Sequence, residues 1–201
     1  MLFRSQWADM NGLHILMDEI YHGLQYVVDI PSMLEVYNDA FVVSSFSKYF
    51  GMTGWRLGWI IVPEDYVETA EMLAQNLFIS APSIAQFAAL KAFSSEATEI
   101  FEERRNAFQL RKSFLTSELK SLGFVIPDEI HGAFYVYADI SKFSQNAELF
   151  CNNLLTEYKV AITPGTDFGH HKARQHVRFA FTTSMKDLEL GIERLNNALK
   201  T

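Results

Sequence analysis

A chain of 201 residues with 49% hydrophobic and 20% charged side chains has the make-up of a globular protein with a sizeable core, which excludes an intrinsically disordered chain. A formal net charge of −7 argues against nucleic-acid binding, which needs clustered Lys and Arg to neutralise phosphates. One cysteine, Cys151, excludes an intramolecular disulfide, fits a reducing compartment and reads as a packed thiol within an amphipathic run. No window is apolar for long enough to span a bilayer, and the opening residues, interrupted by Arg4, lack the form of a signal peptide, so a cytoplasmic protein is expected.

In chain order, a short amphipathic opening closes at Asn11-Gly12, a helix stop. Apolar runs at 13–17, 40–45 and 57–62 are predicted strands, and their two-sided apolarity predicts cover on both faces, as in a mainly parallel α/β sheet. Ligands of such sheets collect just past the strand ends, and the first two runs stop at Asp18-Glu19 and at Ser45 to Lys48. Helical patterning starts at Pro63-Glu64-Asp65, breaks at 80–83, and resumes over 84–93. A long helix is predicted over 96–122, stopped by Gly123, with Phe101, Phe108, Leu115 and Leu122 forming a stripe for core packing. Beyond it come predicted strands at 124–126, 133–137, 160–162 and 177–181, and helices at 146–158 and 185–199. Two domains are expected, an α/β unit over 1–94 and a smaller α+β unit over 95–201 with the long helix as bridge.

Chemistry concentrates in residues 45–58, where Lys48 follows a predicted buried strand between Ser47 and Tyr49, with Gly51, Gly54, Arg56 and Gly58 downstream. A partly desolvated lysine loses its proton more easily, and its free amine can condense with an aldehyde. Arg56 offers a fork of donors to a phosphate, Ser45 and Ser47 add hydroxyls, and the glycines let backbone approach a ligand. Taken one at a time, these residues read better as a solvated lysine beside a structural arginine.

Taken together, Ser45, Phe46, Ser47, Lys48, Gly51, Met52, Gly54, Arg56, Leu57 and Gly58 resemble the cofactor-attachment signature of class I and II pyridoxal-phosphate-dependent aminotransferases. The resemblance implies that Lys48 holds pyridoxal 5'-phosphate as a Schiff base and acts as general acid and base. It places Arg56 and Ser45, and less firmly Ser47, on the cofactor phosphate. Upstream, Met17-Asp18-Glu19-Ile20-Tyr21 resembles the family's strand-end Asp-x-x-Tyr element. Asp18 would keep the pyridine nitrogen protonated so that the ring accepts electrons, and Tyr21 would hydrogen-bond the ring hydroxyl. Downstream, Pro164 to Gly169 and His176 to Phe181 resemble the family's small domain, which implies that Arg178 grips the substrate carboxylate in a bidentate pair; the plain alternative is a strand arginine facing solvent.

The implied fold is a partial fold type I large domain with a mainly parallel sheet, followed by a smaller α+β domain. The implied activity is transfer of an amino group between an amino acid and a 2-oxo acid by a homodimer. The resemblance covers the later half of a family member. The glycine-containing phosphate turn, the aromatic residue stacked on the ring and the Asn-Pro segment have no counterpart here, so weak or no cofactor binding by this chain alone is expected. Two alternatives follow: a β-lyase using the same residues, or an inactive fragment whose sheet keeps an open edge and an uncovered apolar face. No metal is expected. His170, His171 and His176 lack zinc-type partners, and Asp18-Glu19 is a poor hydrolytic pair because neighbours on an extended chain face opposite ways.

Overall fold

The computed structural model describes residues 2–27 and 29–200. The chain forms two compact units, Met1–Arg105 and Asn106–Thr201. Their boundary lies inside the long helix rather than at residues 94/95, where the sequence places it. The first turns of that helix belong to the first unit because Phe101 is buried there and the Arg105 guanidinium donates to the Gln25 carbonyl at 3.1 Å.

In the first unit, helix α1 (Leu2–Met10) ends where Gly12 adopts a φ of 62°, a left-handed turn that glycine takes without steric cost. Strands β1 (Ile15–Asp18), β2 (Ala40–Ser45) and β3 (Gly58–Ile61) form one sheet in that order. β1 and β2 run parallel, with Asp18 opposite Val43; β2 and β3 run antiparallel, with Ser45 opposite Gly58. The second pairing is antiparallel because β3 returns directly from the loop after β2, without the crossover that a parallel pair needs.

Ala40 and Val42 of β2 bury one face against Met33, with Ile15 and Met17 of β1 packed alongside. The expectation of cover on both faces is corrected here. All four residues of β3 are exposed and Leu16 is 66% exposed. A 3-10 turn at Glu64–Tyr66 leads into α2 (Val67–Leu77), and α3 (Ser83–Lys91) and α4 (Ser95–Leu122) follow. α3 turns Ala85 and Ala89 inward but leaves Ile84, Phe87 and Leu90 exposed, while α2 buries nothing and carries Leu77 at 77% exposure.

The second unit starts on the later half of α4, which buries Leu115 and Leu119 and stops at Gly123 with a φ of 94°. Strands β4 (Tyr135–Asp139), β5 (Thr163–Pro164) and β6 (His176–Ala180) form an antiparallel sheet in the order β4-β6-β5. Between β4 and β5 lies α5 (Ala147–Tyr158), and α6 (Met185–Leu199) follows β6. Each of these helices has the cap its sequence offers: Asn146 accepts from the amides of Glu148 and Leu149, and Ser184 from that of Asp187. Strand alternation buries Val136, Ala138, Val177 and Phe179 and turns Tyr135, Tyr137, His176 and Arg178 to the other face.

Two predicted strands are corrected. Residues 124–126 make a single bridge, Val125 to Asp139, and residues 160–162 lie outside the sheet. The Val160 amide is already used, donating to the Leu154 carbonyl at the end of α5. The edge strand begins later, at Thr163–Pro164, where the missing N–H of proline is tolerated.

Candidate functional site

Because β1 and β2 are parallel, their C-terminal ends reach the same edge of the sheet, and antiparallel β3 starts there. Asp18 closes β1, Ser45 closes β2, and Gly58 opens β3 two residues after Arg56. The ladder extends past the strands, since the Glu19 amide donates to the Val43 carbonyl at 2.9 Å and Ser44 Oγ donates to the Glu19 carbonyl at 3.3 Å. Tyr21 lies in the turn after β1 and Lys48 in the turn after β2, with Lys48 Nζ 5.7 Å from the centre of the Tyr21 ring. Six residues singled out in the sequence, Asp18, Tyr21, Ser45, Ser47, Lys48 and Arg56, thus gather at one sheet edge.

The turn that carries Lys48 is held by its apolar neighbours. Phe46 and Met52 are buried against Ala89, Ala92 and Phe101, with Tyr49 and Phe50 packed alongside. Phe46 meets Phe50 at 4.9 Å and Trp59 at 5.0 Å between ring centres, and such pairs contribute about 0.5–1.5 kcal/mol each beyond their burial. The backbone closes twice: the Gly51 amide donates to the Lys48 carbonyl (3.0 Å) and the Met52 amide to the Phe46 carbonyl (2.9 Å). Gly51 adopts a φ of 66°, with Arg104 Nη1 2.7 Å from where a Cβ would stand, so this corner admits only glycine without movement.

Ser45 Oγ accepts from the Ser47 amide at 3.0 Å and lies 2.9 Å from Ser47 Oγ. Arg56 is exposed and adopts the left-handed conformation (φ 55°, ψ 48°), which costs a non-glycine residue roughly 1–2 kcal/mol, and donates to the Thr53 carbonyl at 2.9 Å. Strain of this kind gathers at ligand-holding sites, where the surrounding fold over-determines it. The exposed Asp18 carboxylate accepts from the Ile20 amide at 3.0 Å through Oδ1.

Sequence reasoning missed Glu19. It is 8% exposed and accepts from the Met33 amide at 2.6 Å and from Ser32 Oγ at 3.1 Å, tying the loop before Met33 to the end of β1. Strand alternation is the signal that separates its buried carboxylate from the exposed one of Asp18. Behind the lysine turn, Tyr49 donates its hydroxyl to Glu102 Oε1 at 2.8 Å, and Arg105 Nε donates to Glu102 Oε2 at 2.8 Å. Burial, then the hydrogen bond to Glu102, pushes the Tyr49 hydroxyl up to about 12.

In the second unit Arg178 occupies the middle strand, opposite Tyr137 on one side and Thr163 on the other. Its guanidinium carbon stands 4.1 Å from the centre of the Tyr135 ring and 4.3 Å from that of Phe168. No spacing in the sequence signals that sandwich, because Phe168 arrives from the loop beyond Pro164-Gly165. Gly165 permits the loop to pass: a Cβ there would stand 2.4 Å from the Ala173 carbonyl and 2.6 Å from the Tyr137 hydroxyl. Among the described residues no group of three His, Cys, Asp or Glu side chains could hold a metal ion.

An α/β unit with a lysine turn at the sheet's polar edge, followed by an α+β unit presenting an arginine, defines a partial aminotransferase fold. The chain belongs to the family of class I and II aminotransferases, whose sequence profile matches residues 4–195. It is 36% identical over 197 residues to the valine–pyruvate aminotransferase of Mycobacterium tuberculosis, covering 97% of this chain and 51% of that protein. It is 35% identical to the (5-formylfuran-3-yl)methyl phosphate transaminase of Methanocaldococcus jannaschii, covering 96% of this chain and 52% of that one. Among solved structures, an aminotransferase from Mycobacterium tuberculosis superposes with a TM-score of 0.94 at 36% identity, covering 98% of this chain and 51% of that one. A Thermus thermophilus aspartate aminotransferase mutant gives 0.90 at 32% identity, with 98% and 51% covered. The chain therefore spans about half the length of the relatives it matches.

Proposed function

We propose that this chain provides the lysine-bearing part of a pyridoxal-phosphate-dependent aminotransferase, which moves an amino group between an amino acid and a 2-oxo acid. The observation that carries this reading is the convergence of an amine, a carboxylate, a phenol, two hydroxyls and a guanidinium on one sheet edge, with Lys48 Nζ 5.7 Å from the Tyr21 ring.

That donor set suits an aldehyde-bearing pyridine with a phosphate. When bound, pyridoxal phosphate supplies the aldehyde and an electron-withdrawing ring. Lys48 Nζ would hold that aldehyde through its amine and would serve as the base for the substrate Cα proton. Asp18 would hold a proton at the ring nitrogen, and Tyr21 would donate to the ring oxygen. Ser45, Ser47 and the strained Arg56 would take the phosphate, a dianion that suits a guanidinium's fork of donors.

Arg178 orients the substrate carboxylate. Supporting this role, its Nε is buried without a hydrogen-bond partner and no carboxylate among the described residues pairs with the guanidinium. A half-buried cation with no counter-ion favours an incoming anion. The relatives' names span valine, pyruvate, aspartate and prephenate, so the substrate is assigned as amino acid and 2-oxo acid and no further. The reading includes a homodimer, which would cover part of the exposed apolar surface on α2 and α3, and a cytoplasmic setting that keeps Cys151 reduced. No helix is long and apolar enough to cross a membrane among the described residues.

The test is to add pyridoxal phosphate, reduce with borohydride and map the labelled peptides. The expected result is label at Lys48 ahead of every other lysine, with a visible band that the Lys48→Ala chain lacks. Label spread evenly over the surface lysines, with Lys48→Ala indistinguishable from wild type, would sink the reading.

A further inference from the structure

Arg178 is held in an unusual way for a strand arginine. Its guanidinium lies between two aromatic rings at nearly equal distance, 4.1 Å from Tyr135 and 4.3 Å from Phe168, within the range of cation–π contact. With two rings packed against it and Nε buried without a partner, the group keeps its outer edge for hydrogen bonding. That edge is the fork which meets a carboxylate in a bidentate pair.

We propose that Tyr135 and Phe168 are positioning residues, fixing the plane of the Arg178 guanidinium so that its terminal N–H groups are set for a substrate carboxylate before the substrate arrives. This rests on the reading of Arg178 as the carboxylate-binding residue. A long arginine side chain otherwise loses rotamer freedom when it binds, and a side chain already immobilised avoids that loss.

Each ring is itself anchored. Tyr135 lies on β4, in register with Ala180 of β6, one diagonal step from Arg178 on the same sheet face, and its ring touches Phe134 at 4.6 Å. Phe168 is fixed through its backbone, donating its amide to the Gly165 carbonyl at 2.9 Å, at the corner where only glycine fits. Phe168 remains 48% exposed, so it adds little to the core; its ring contacts are with Arg178 and, edge-on at 6.3 Å, Tyr137. Tyr137, directly opposite Arg178 in the register, stacks on His176 instead, with ring centres 5.0 Å apart.

The experiment uses the full chain labelled with 15N-arginine. The Arg178 Nε–H signal is identified by its loss in Arg178→Lys, and sodium propionate, a carboxylate with no group that condenses with Lys48, is titrated in. Wild type is expected to show a saturable shift. Phe168→Leu and Tyr135→Leu should each weaken binding about five- to tenfold, the scale of one lost cation–π face. Phe168→Tyr and Tyr135→Phe, which keep a ring, should bind within about twofold of wild type on the same scale. Leu variants that melt with wild type and bind propionate equally well would overturn the positioning role. Should Tyr135→Leu fail to fold, Phe168→Leu decides alone, because its side chain is half exposed. A wild-type Arg178 signal that ignores propionate would instead overturn the carboxylate reading on which the proposal stands.

Discussion

Lys48 Nζ lies 5.7 Å from the centre of the Tyr21 ring, and the two residues follow the ends of neighbouring parallel strands. The sheet register brings them together, since Asp18 and Val43 are opposite and both strand ends point to one edge. If Tyr21 donates to the ring oxygen of a bound cofactor, Tyr21→Phe should keep the ring beneath the amine and lose only that hydrogen bond. The expected outcome is an upward move, by about one pH unit, in the midpoint at which the cofactor's visible band titrates. A Tyr21→Phe chain titrating with wild type would remove the hydroxyl from the proposed machinery.

Arg56 combines strain with a proposed phosphate contact, which allows the two to be separated. Arg56→Gly should relieve a left-handed backbone that costs a non-glycine residue roughly 1–2 kcal/mol, offset in part by the freer unfolded chain, leaving stability to urea equal or up to about 1 kcal/mol higher. The same substitution should weaken pyridoxal-phosphate affinity roughly tenfold, because a charge-assisted pair is lost. Unchanged affinity in a stabilised Arg56→Gly chain would make the strain purely structural.

The Tyr49–Glu102–Arg105 group sets two pH limits on the first unit. Tyr49 is raised from 10.0 to about 12, so above pH 10 the unfolded chain ionises first and stability falls as pH climbs towards 12. Glu102 is held below the usual carboxylate range, first by the Arg105 hydrogen bond, so the stability it lends is present above that range and fades as pH falls through the lowered value. Tyr49→Phe should flatten the alkaline fall and Glu102→Gln the acid one, read from urea unfolding across pH. Parallel pH profiles for wild type and both variants would show that these groups are not coupled to folding.

What could be read in the sequence follows from local chemistry. Residues 40–45 form β2 with the predicted bounds, and Gly123 stops the long helix as expected, because a strand's apolar pattern and a glycine's left-handed freedom act within a few residues. The run from Ser45 to Gly58 was legible as a strand end and turn for the same reason. Where the sequence reading failed, a distant group decided. Residues 160–162 are as apolar as a strand, yet the Val160 amide closes the end of α5 and the pairing shifts to Thr163–Pro164.

By itself the sequence determined the family of the chain, since that resides in residue types at fixed spacing. Only the tertiary structure decided which groups share the sheet edge and that Glu19, rather than Asp18, is spent on holding a loop. It alone set the Arg178 guanidinium between Tyr135 and Phe168. Strand register and loop closure join residues far apart along the chain, and hydrophobic burial drives that joining without leaving a local mark on the residues it brings together.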